Sequence, residues 1–109
     1  MRISEDVIEQ ANKRAAWKKS HYPAAIAVRY DQHLGRIIIE LTTGIGIIIA
    51  PRDLQGFQDA TLEELSEAEI SPSGFGIYFP KLDADVYLPR LLEGFLGTEL
   101  WMAERKGQR

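Results

Sequence analysis

Apolar and polar positions divide the chain into one long helical pattern, a run of short apolar bursts, and a second half punctuated by Pro and Gly. Residues 4–19 follow helical spacing through Val7, Ile8, Ala11, Ala15 and Trp17 or Lys18. Ser4 is placed to cap this helix, and Glu5 and Asp6 suit its first turn. The apolar stripe is thin and mostly alanine, so the helix is marginal alone and has to lean on another element. Ser20–Pro23 connects it to AAIAVRY, residues 24–30, which reads as a strand. Alternation puts Ile26, Val28 and Tyr30 on one face and Ala27 and Arg29 on the other.

A turn over Asp31–Gly35 leads to RIIIEL, residues 36–41. Thr42-Thr43-Gly44 then turns the chain into a third strand, Ile45–Ala50. Connections this short favour an antiparallel meander, and Pro51 ends it because proline has no N–H for the ladder. The second and third strands are apolar on both faces, with Ile37, Ile38 and Ile39 in one and Ile47, Ile48 and Ile49 in the other. Such a sheet needs cover on one side and at least partial cover on the other. The chain's own helices can supply one side. A second subunit can supply the rest at low cost, so a homodimer or a protein partner is expected; the alternative is cover by the N-terminal helix and the C-terminal tail.

The segment PRDLQGF, residues 51–57, reads as a short helical turn. Thr61-Leu62-Glu63-Glu64 is a capping-box pattern opening a helix to about Ser66, with Leu62 and Leu65 facing the core. Glu69-Ile70 reads as a brief extended piece, Ser71-Pro72-Ser73-Gly74 as a turn, and Gly76–Phe79 as the last strand. In that strand Phe75, Ile77 and Phe79 share one face and Tyr78 takes the other. Residues 81–88 read as irregular, with Asp83 and Asp85 outward and Leu82 and Val86 or Leu88 inward. Pro89 suits a first helical turn, giving a helix over Arg90–Phe95 with Leu91, Leu92 and Phe95 inside. Gly97 stops it, Glu99–Glu104 adds another turn, and Arg105–Arg109 frays. The whole reads as an α+β domain, a small antiparallel sheet of a β-meander plus a later strand packed with short helices. Its parts are an N-terminal helix and connector (1–23), the domain (24–103) and a tail (104–109).

Composition narrows the chemistry. Of 109 residues, 45% are hydrophobic and 27% charged, which is globular rather than disordered usage. There is no cysteine, which excludes disulfides, thiolate catalysis and Cys-ligated metals. The net charge of −3 is unevenly spread. Residues 1–19 hold five bases and three acids, whereas residues 51–88 hold Arg52 and Lys81 against eight carboxylates. The first stretch could touch nucleic acid or simply be a solvated helix face, and the second suits a basic partner. No run of apolar residues is long enough to span a membrane, and Met1–Glu5 lacks the apolar region of a signal peptide. The expected location is the cytoplasm.

No catalytic group is assigned. Ser20 beside His21, and Ser71 and Ser73 around Pro72, stand in no nucleophile-elbow setting. His33 sits in a hairpin turn. Asp83 and Asp85 could hold a divalent cation, but two short carboxylates in a turn are ordinarily caps, and no metal or cofactor is expected. The two G-x-G pairs, Gly44/Gly46 and Gly74/Gly76, do not continue into a dinucleotide fingerprint. Phe75, Tyr78, Phe79 and Tyr87 cluster around the SPSGFGIYFP segment. Tyr78 and Tyr87, with Asp83 and Asp85, form a candidate interaction surface, because tyrosine offers rigid area with a polar tip.

The stretch from Ile70 to Ala103 resembles the bacterial family DUF2442, a domain of unknown function. The pieces that carry the resemblance are Arg29-Tyr30-Asp31, Pro51-Arg52, Leu62–Leu65, Ser71–Asp85, Leu91–Gly97 and Trp101–Ala103. Family members often have His-Trp before the proline where this chain has Tyr78-Phe79, and fewer isoleucines in the third strand. The first departure argues against a catalytic histidine at that position. The resemblance implies a small α+β domain without established biochemistry. It also implies an antitoxin-like or regulatory role, since some relatives carry a helix-turn-helix and others lie beside toxin-like partners. Only six residues follow Ala103, too few for a helix-turn-helix.

Three functions follow as expectations. The first is a non-catalytic protein–protein interaction or regulatory module. The second is a nucleic-acid accessory protein using Arg2, Lys13, Arg14, Lys18 and Lys19 on phosphates, with Trp17 or Tyr22 stacking. The third is a divalent-metal enzyme built on Asp83 and Asp85, which lacks a nucleophile and a third ligand.

Overall fold

The computed structural model describes residues 5–108, with side-chain detail from residue 6 to residue 105. The chain runs α1 (Glu5–His21), β1 (Ala25–Asp31), β2 (Arg36–Leu41), β3 (Gly46–Ile49), a 3-10 turn (Pro51–Asp53), α2 (Leu62–Leu65), β4 (Glu69–Ile70), β5 (Gly76–Phe79), β6 (Ala84–Tyr87), α3 (Leu88–Leu92) and α4 (Glu99–Gln108). The α+β class is as the sequence indicates. The later strand does not join the meander, however. It lies at the centre of a second three-stranded antiparallel sheet, β4-β5-β6, beside the first, β1-β2-β3.

The meander forms because two tight turns return the chain on itself. In the first, Gly35 donates to the Asp31 carbonyl and takes φ 62°. The Asp31 carboxylate accepts from the Leu34 N–H at 2.9 Å. β2 pairs Ile37, Ile38 and Ile39 with Ile49, Ile48 and Ile47. The inward residues Ile37, Ile39, Leu41 and Ile49 are all buried. β1 departs from simple alternation. Ala25 pairs with Leu41 and Ala27 with Glu40, so Ile26 is the extra residue of a β-bulge. The bulge places Val28 and Tyr30 against the core and leaves Ile26 62% exposed, off the face it was expected to share with them.

The second sheet continues the same core. Phe75, Ile77 and Phe79 turn inward as expected. Phe79 meets Phe57 edge to face, with ring centroids 5.1 Å apart. Residues 84–87, expected to be irregular, form β6: Ala84 and Val86 pack inward while Asp85 and Tyr87 stand outward. The reason is the turn before it. Asp83 takes φ 52°, a left-handed conformation that a short polar side chain tolerates, and reverses the chain directly into the ladder. The two sheets meet at Gly74, whose carbonyl accepts the Ala25 N–H at 2.8 Å. A Cβ at Gly74 would lie 2.6 Å from the Ala24 Cβ.

The short helices close the ends. Thr61 and Glu64 complete the expected capping box. In a helix of four residues only Leu65 reaches the core, and Leu62 stays exposed. The helix expected over Arg90–Phe95 begins earlier, at Leu88, because Pro89 occupies its first turn. Phe95 lies beyond it, beneath the Arg90 guanidinium at 4.1 Å. The segment expected to fray from Arg105 is helical to Gln108. Arg105 holds it down, with one nitrogen 2.6 Å from the Asp53 carboxylate and another 2.8 Å from the Asp53 carbonyl.

α1 stands apart from this body. From Asp6 to His21 every residue except Lys18 is exposed, and α1 runs two residues past the expected end, through Ser20 to His21. Its expected cap, Ser4, lies outside the described residues, as does Arg2. Val7, Ile8 and Trp17 of the thin stripe are about half exposed. Two hydrogen bonds at its C-terminal end tie it down: Lys18 Nζ to Tyr87 Oη at 2.9 Å, and Tyr22 Oη to Glu93 Oε1 at 2.5 Å. The molecule is accordingly long, 49 × 32 × 27 Å. Among the described residues, no helix is long and apolar enough to cross a membrane.

Candidate functional site

The outer face of the second sheet collects most of the candidate residues. Tyr78 lies opposite Glu69 on β4 and Asp85 on β6, and Tyr87 lies opposite Gly76. Directly paired residues share a face, so Glu69, Tyr78, Asp85 and Tyr87 all stand on the solvent side, and each is exposed. The Tyr78 hydroxyl donates to Asp83 Oδ1 at 2.7 Å. That bond pins Asp83 at the rim of the same face. Three carboxylates therefore surround one exposed tyrosine ring.

This setting raises the Tyr78 pKa above the ordinary tyrosine value. The hydrogen bond to Asp83 is the largest cause, partial burial follows, and the carboxylates of Asp83, Glu69 and Asp85 add repulsion. Glu69 is not among the sequence candidates. Its signal is the two-residue extended piece before the SPSG turn, which gains meaning only once β4 is placed beside β5.

The other end of the face is basic. Lys18 reaches over from α1 to the Tyr87 hydroxyl, its ammonium 5.0 Å from the ring centre. Lys18 and Lys19 border a cleft of about 440 Å³ between α1 and the sheet, with Ser71, Ser73 and Tyr87 opposite. Here the structure joins two surfaces that the sequence keeps separate, the tyrosines and the basic helix. It does not gather the four bases into one stripe. Lys13 pairs with Glu9 at 3.4 Å and Lys18 with Tyr87. At about 100° per residue, Lys13 and Lys19 flank Arg14 and Lys18 on opposite sides of the helix. Trp17 stacks on His21 with centroids 4.1 Å apart, and Tyr22 is bound to Glu93.

Asp83 and Asp85 differ in their roles. Asp83 accepts from Tyr78 and turns the chain, whereas Asp85 is a strand residue beside the ring. Among the described residues, no three His, Asp or Glu side chains are grouped to hold a metal ion. His33 lies exposed in the β1–β2 turn, remote in sequence and element from the second sheet.

A second surface is apolar. On the outer side of the first sheet, Ile38 is flanked across β3 by Ile48, and Ile26, Leu34 and Ile45 lie around it. Ile26, Ile45 and Ile48 are each at least 60% exposed. The inner isoleucines and Ile38, 8% exposed, are covered by the chain itself, whereas Ile26, Ile45 and Ile48 are not.

Two antiparallel sheets on one core, closed by short helices, define a small α+β domain. The chain belongs to the DUF2442 family: the model of that family, a protein of unknown function, matches residues 25–97. The match begins at β1 and ends before α4, so the helix bearing the basic cluster lies outside it. Two solved structures share the fold. An uncharacterized protein of Chromobacterium violaceum, determined by solution NMR, is 40% identical with a TM-score of 0.78, covering 96% of each chain. A crystal structure of a protein of unknown function from Rhodospirillum rubrum is 36% identical with a TM-score of 0.71. It covers 75% of this chain and 99% of its own. A search of curated proteins finds no match.

Proposed function

We propose that this protein is a non-catalytic interaction module that binds a basic segment of a partner polypeptide on the outer face of its second sheet. The observation that carries this reading is the Tyr78 ring, exposed among Glu69, Asp83 and Asp85. An arginine side chain can stack on such a ring while its fork donates to the flanking carboxylates. Two of the four groups are held before any partner arrives. Tyr78 and Asp83 fix each other by a hydrogen bond, which reduces the entropy lost on binding. The acidic stretch from residue 51 to 88 provides a wider field of the same sign, which speeds encounter with a basic surface. A regulatory role of the antitoxin kind, in which the module masks a basic nucleic-acid-directed partner, is the biological form of this reading.

The test is recovery of a stoichiometric partner from the native cell with tagged wild-type protein, repeated with Asp85→Lys and with Tyr78→Ala. Both variants are expected to lose the partner while keeping the wild-type circular dichroism spectrum. Recovery of the protein alone, or a partner retained equally by both variants, refutes the reading. A salt-sensitive shift of nucleic acid lost on changing Lys13, Arg14, Lys18 and Lys19 would instead support the accessory role.

A further inference from the structure

The outer face of the first sheet carries an inference independent of the partner site. We propose that it is covered by a second copy of this chain, packed face to face about a two-fold axis that passes over Ile38 and runs across the strands.

The order of residues along β2 sets this pairing. The residues it turns outward are Arg36, Ile38 and Glu40, since Ile37, Ile39 and Leu41 face the core. The sequence of the face is therefore base, apolar, acid. A two-fold axis across the strands reverses β2 against its copy. It lays Ile48, at the level of Ile38 in the ladder, on Ile48 of the second copy, Arg36 on Glu40 of the second copy, and Glu40 on its Arg36. The face is self-complementary in both polarity and charge, as an isologous contact requires. Ile38 is itself only 8% exposed, so the apolar area offered at the centre comes from Ile48, paired with it across the ladder. Ile26 and Ile45 lie nearby in the same concavity.

The charged groups are free to take these roles. Arg36 donates from one nitrogen to the Leu34 and Gly35 carbonyls of its own hairpin, at 3.3 and 3.1 Å. The guanidinium has further donors to offer. Arg29, which also looks outward, is neutralised within its own copy by Asp31 at 3.2 Å. Apolar side chains of this size, left more than half exposed in one contiguous patch, mark an association surface rather than ordinary scatter. A three-stranded face is small beside the roughly 800 Å² per partner of stable complexes. The pairing is therefore concentration-dependent, a monomer–dimer equilibrium rather than an obligate dimer.

Sedimentation equilibrium over a wide dilution series tests this. The wild type is expected to pass from monomer to dimer. Ile48→Lys, Arg36→Glu and Glu40→Arg are each expected to weaken the dimer by about tenfold or more, because each buries a charge or sets like charges together. The decisive sample is an equimolar mixture of Arg36→Glu and Glu40→Arg. Each variant repels itself but complements the other, so the mixture is expected to form a one-to-one heterodimer. Tyr78→Ala should leave self-association unchanged, which separates this result from the partner reading. A wild type that stays monomeric throughout, or a mixture that fails to associate, overturns the proposal. So would a dimer indifferent to both charge reversals, which would indicate pairing through the β3 edge instead.

Discussion

The two sheets have the same number of strands, the same antiparallel sense and one shared core, yet their outer faces differ in kind. The first exposes Ile26, Ile45 and Ile48, with Arg36 and Glu40 along its middle strand. The second turns out Tyr78, Glu69, Asp85 and Tyr87. Burial dictates the inner half of each strand, because Ile37, Ile39, Ile77 and Phe79 are each about 1% exposed and tolerate no polar group. The outer half is released from that demand. What it carries is therefore the better guide to use: isoleucine suits the proposed self-association, tyrosine and carboxylate the proposed basic partner. The fold is written in one face of each sheet, and the proposed contacts draw on the other.

The largest effects should separate neighbours along a strand. Phe79→Ala empties a position edge to face with Phe57 and is expected to cost about 3–5 kcal/mol. Tyr78→Ala, one residue earlier, is expected to stay within about 1 kcal/mol. In the first sheet Ile49→Ala should cost about 2–5 kcal/mol and Ile48→Ala about 0.5 kcal/mol. Urea denaturation of dilute protein, where self-association does not contribute, measures all four. Equal losses at the two members of either pair would mean that the faces are assigned wrongly.

Much of this division is legible in the sequence alone. The turns at Gly35 and Gly44, the capping box at Thr61, and the inward set Phe75, Ile77 and Phe79 follow from spacing and turn chemistry. Three features do not, and each has a physical cause. The bulge at Ile26 shifts the phase of alternation in β1, and the shift is masked because residues 24–28 are all apolar. β6 is hidden because Asp83, which suggests a loop, takes a left-handed turn that starts the strand at once. Its alternation of Ala84 and Val86 with Asp85 and Tyr87 is too short to stand out between that turn and Pro89. The clamp of Arg105 on Asp53 and the reach of Lys18 to Tyr87 are contacts between distant residues, which local periodicity does not encode. For the candidate site, the tyrosines and aspartates are visible as a cluster in the sequence. Glu69 and the basic end supplied by α1 become visible only through pairing.

A middle-sized effect tests how the sheets are joined. Gly74 holds φ 79° with its missing side chain against Ala24. Gly74→Ala is expected to cost about 1–3 kcal/mol from backbone strain, with more if the Ala24 contact does not yield. Gly44 has an equally positive φ but nothing within 4 Å of its would-be Cβ. Gly44→Ala should therefore show the strain cost alone. If the two substitutions cost the same, the close approach between the sheets adds nothing to the demand for glycine.

The smallest expected effect is a shift in the ionisation of Tyr78, and it bears directly on the acidic face. Asp83, as hydrogen-bond acceptor, and the neighbouring carboxylates hold the phenol in its neutral form, so its folded pKa lies above the value of about 10 for an unfolded chain. The group thus favours folding below that unfolded value, and this contribution is lost as pH rises through the higher folded one. Tyr22 behaves likewise through its bond to Glu93. Ultraviolet titration should show late-ionising tyrosine, and Tyr78→Phe should remove one such group while leaving Tyr22. An arginine-rich peptide seated on the face would favour the phenolate and move the Tyr78 transition to lower pH. The same peptide should leave the Tyr22 transition in place, because Tyr22 faces Glu93 at the end of α1 rather than the carboxylates around Tyr78. A Tyr78 transition that is unmoved at saturating peptide would place the bound cation elsewhere on the molecule.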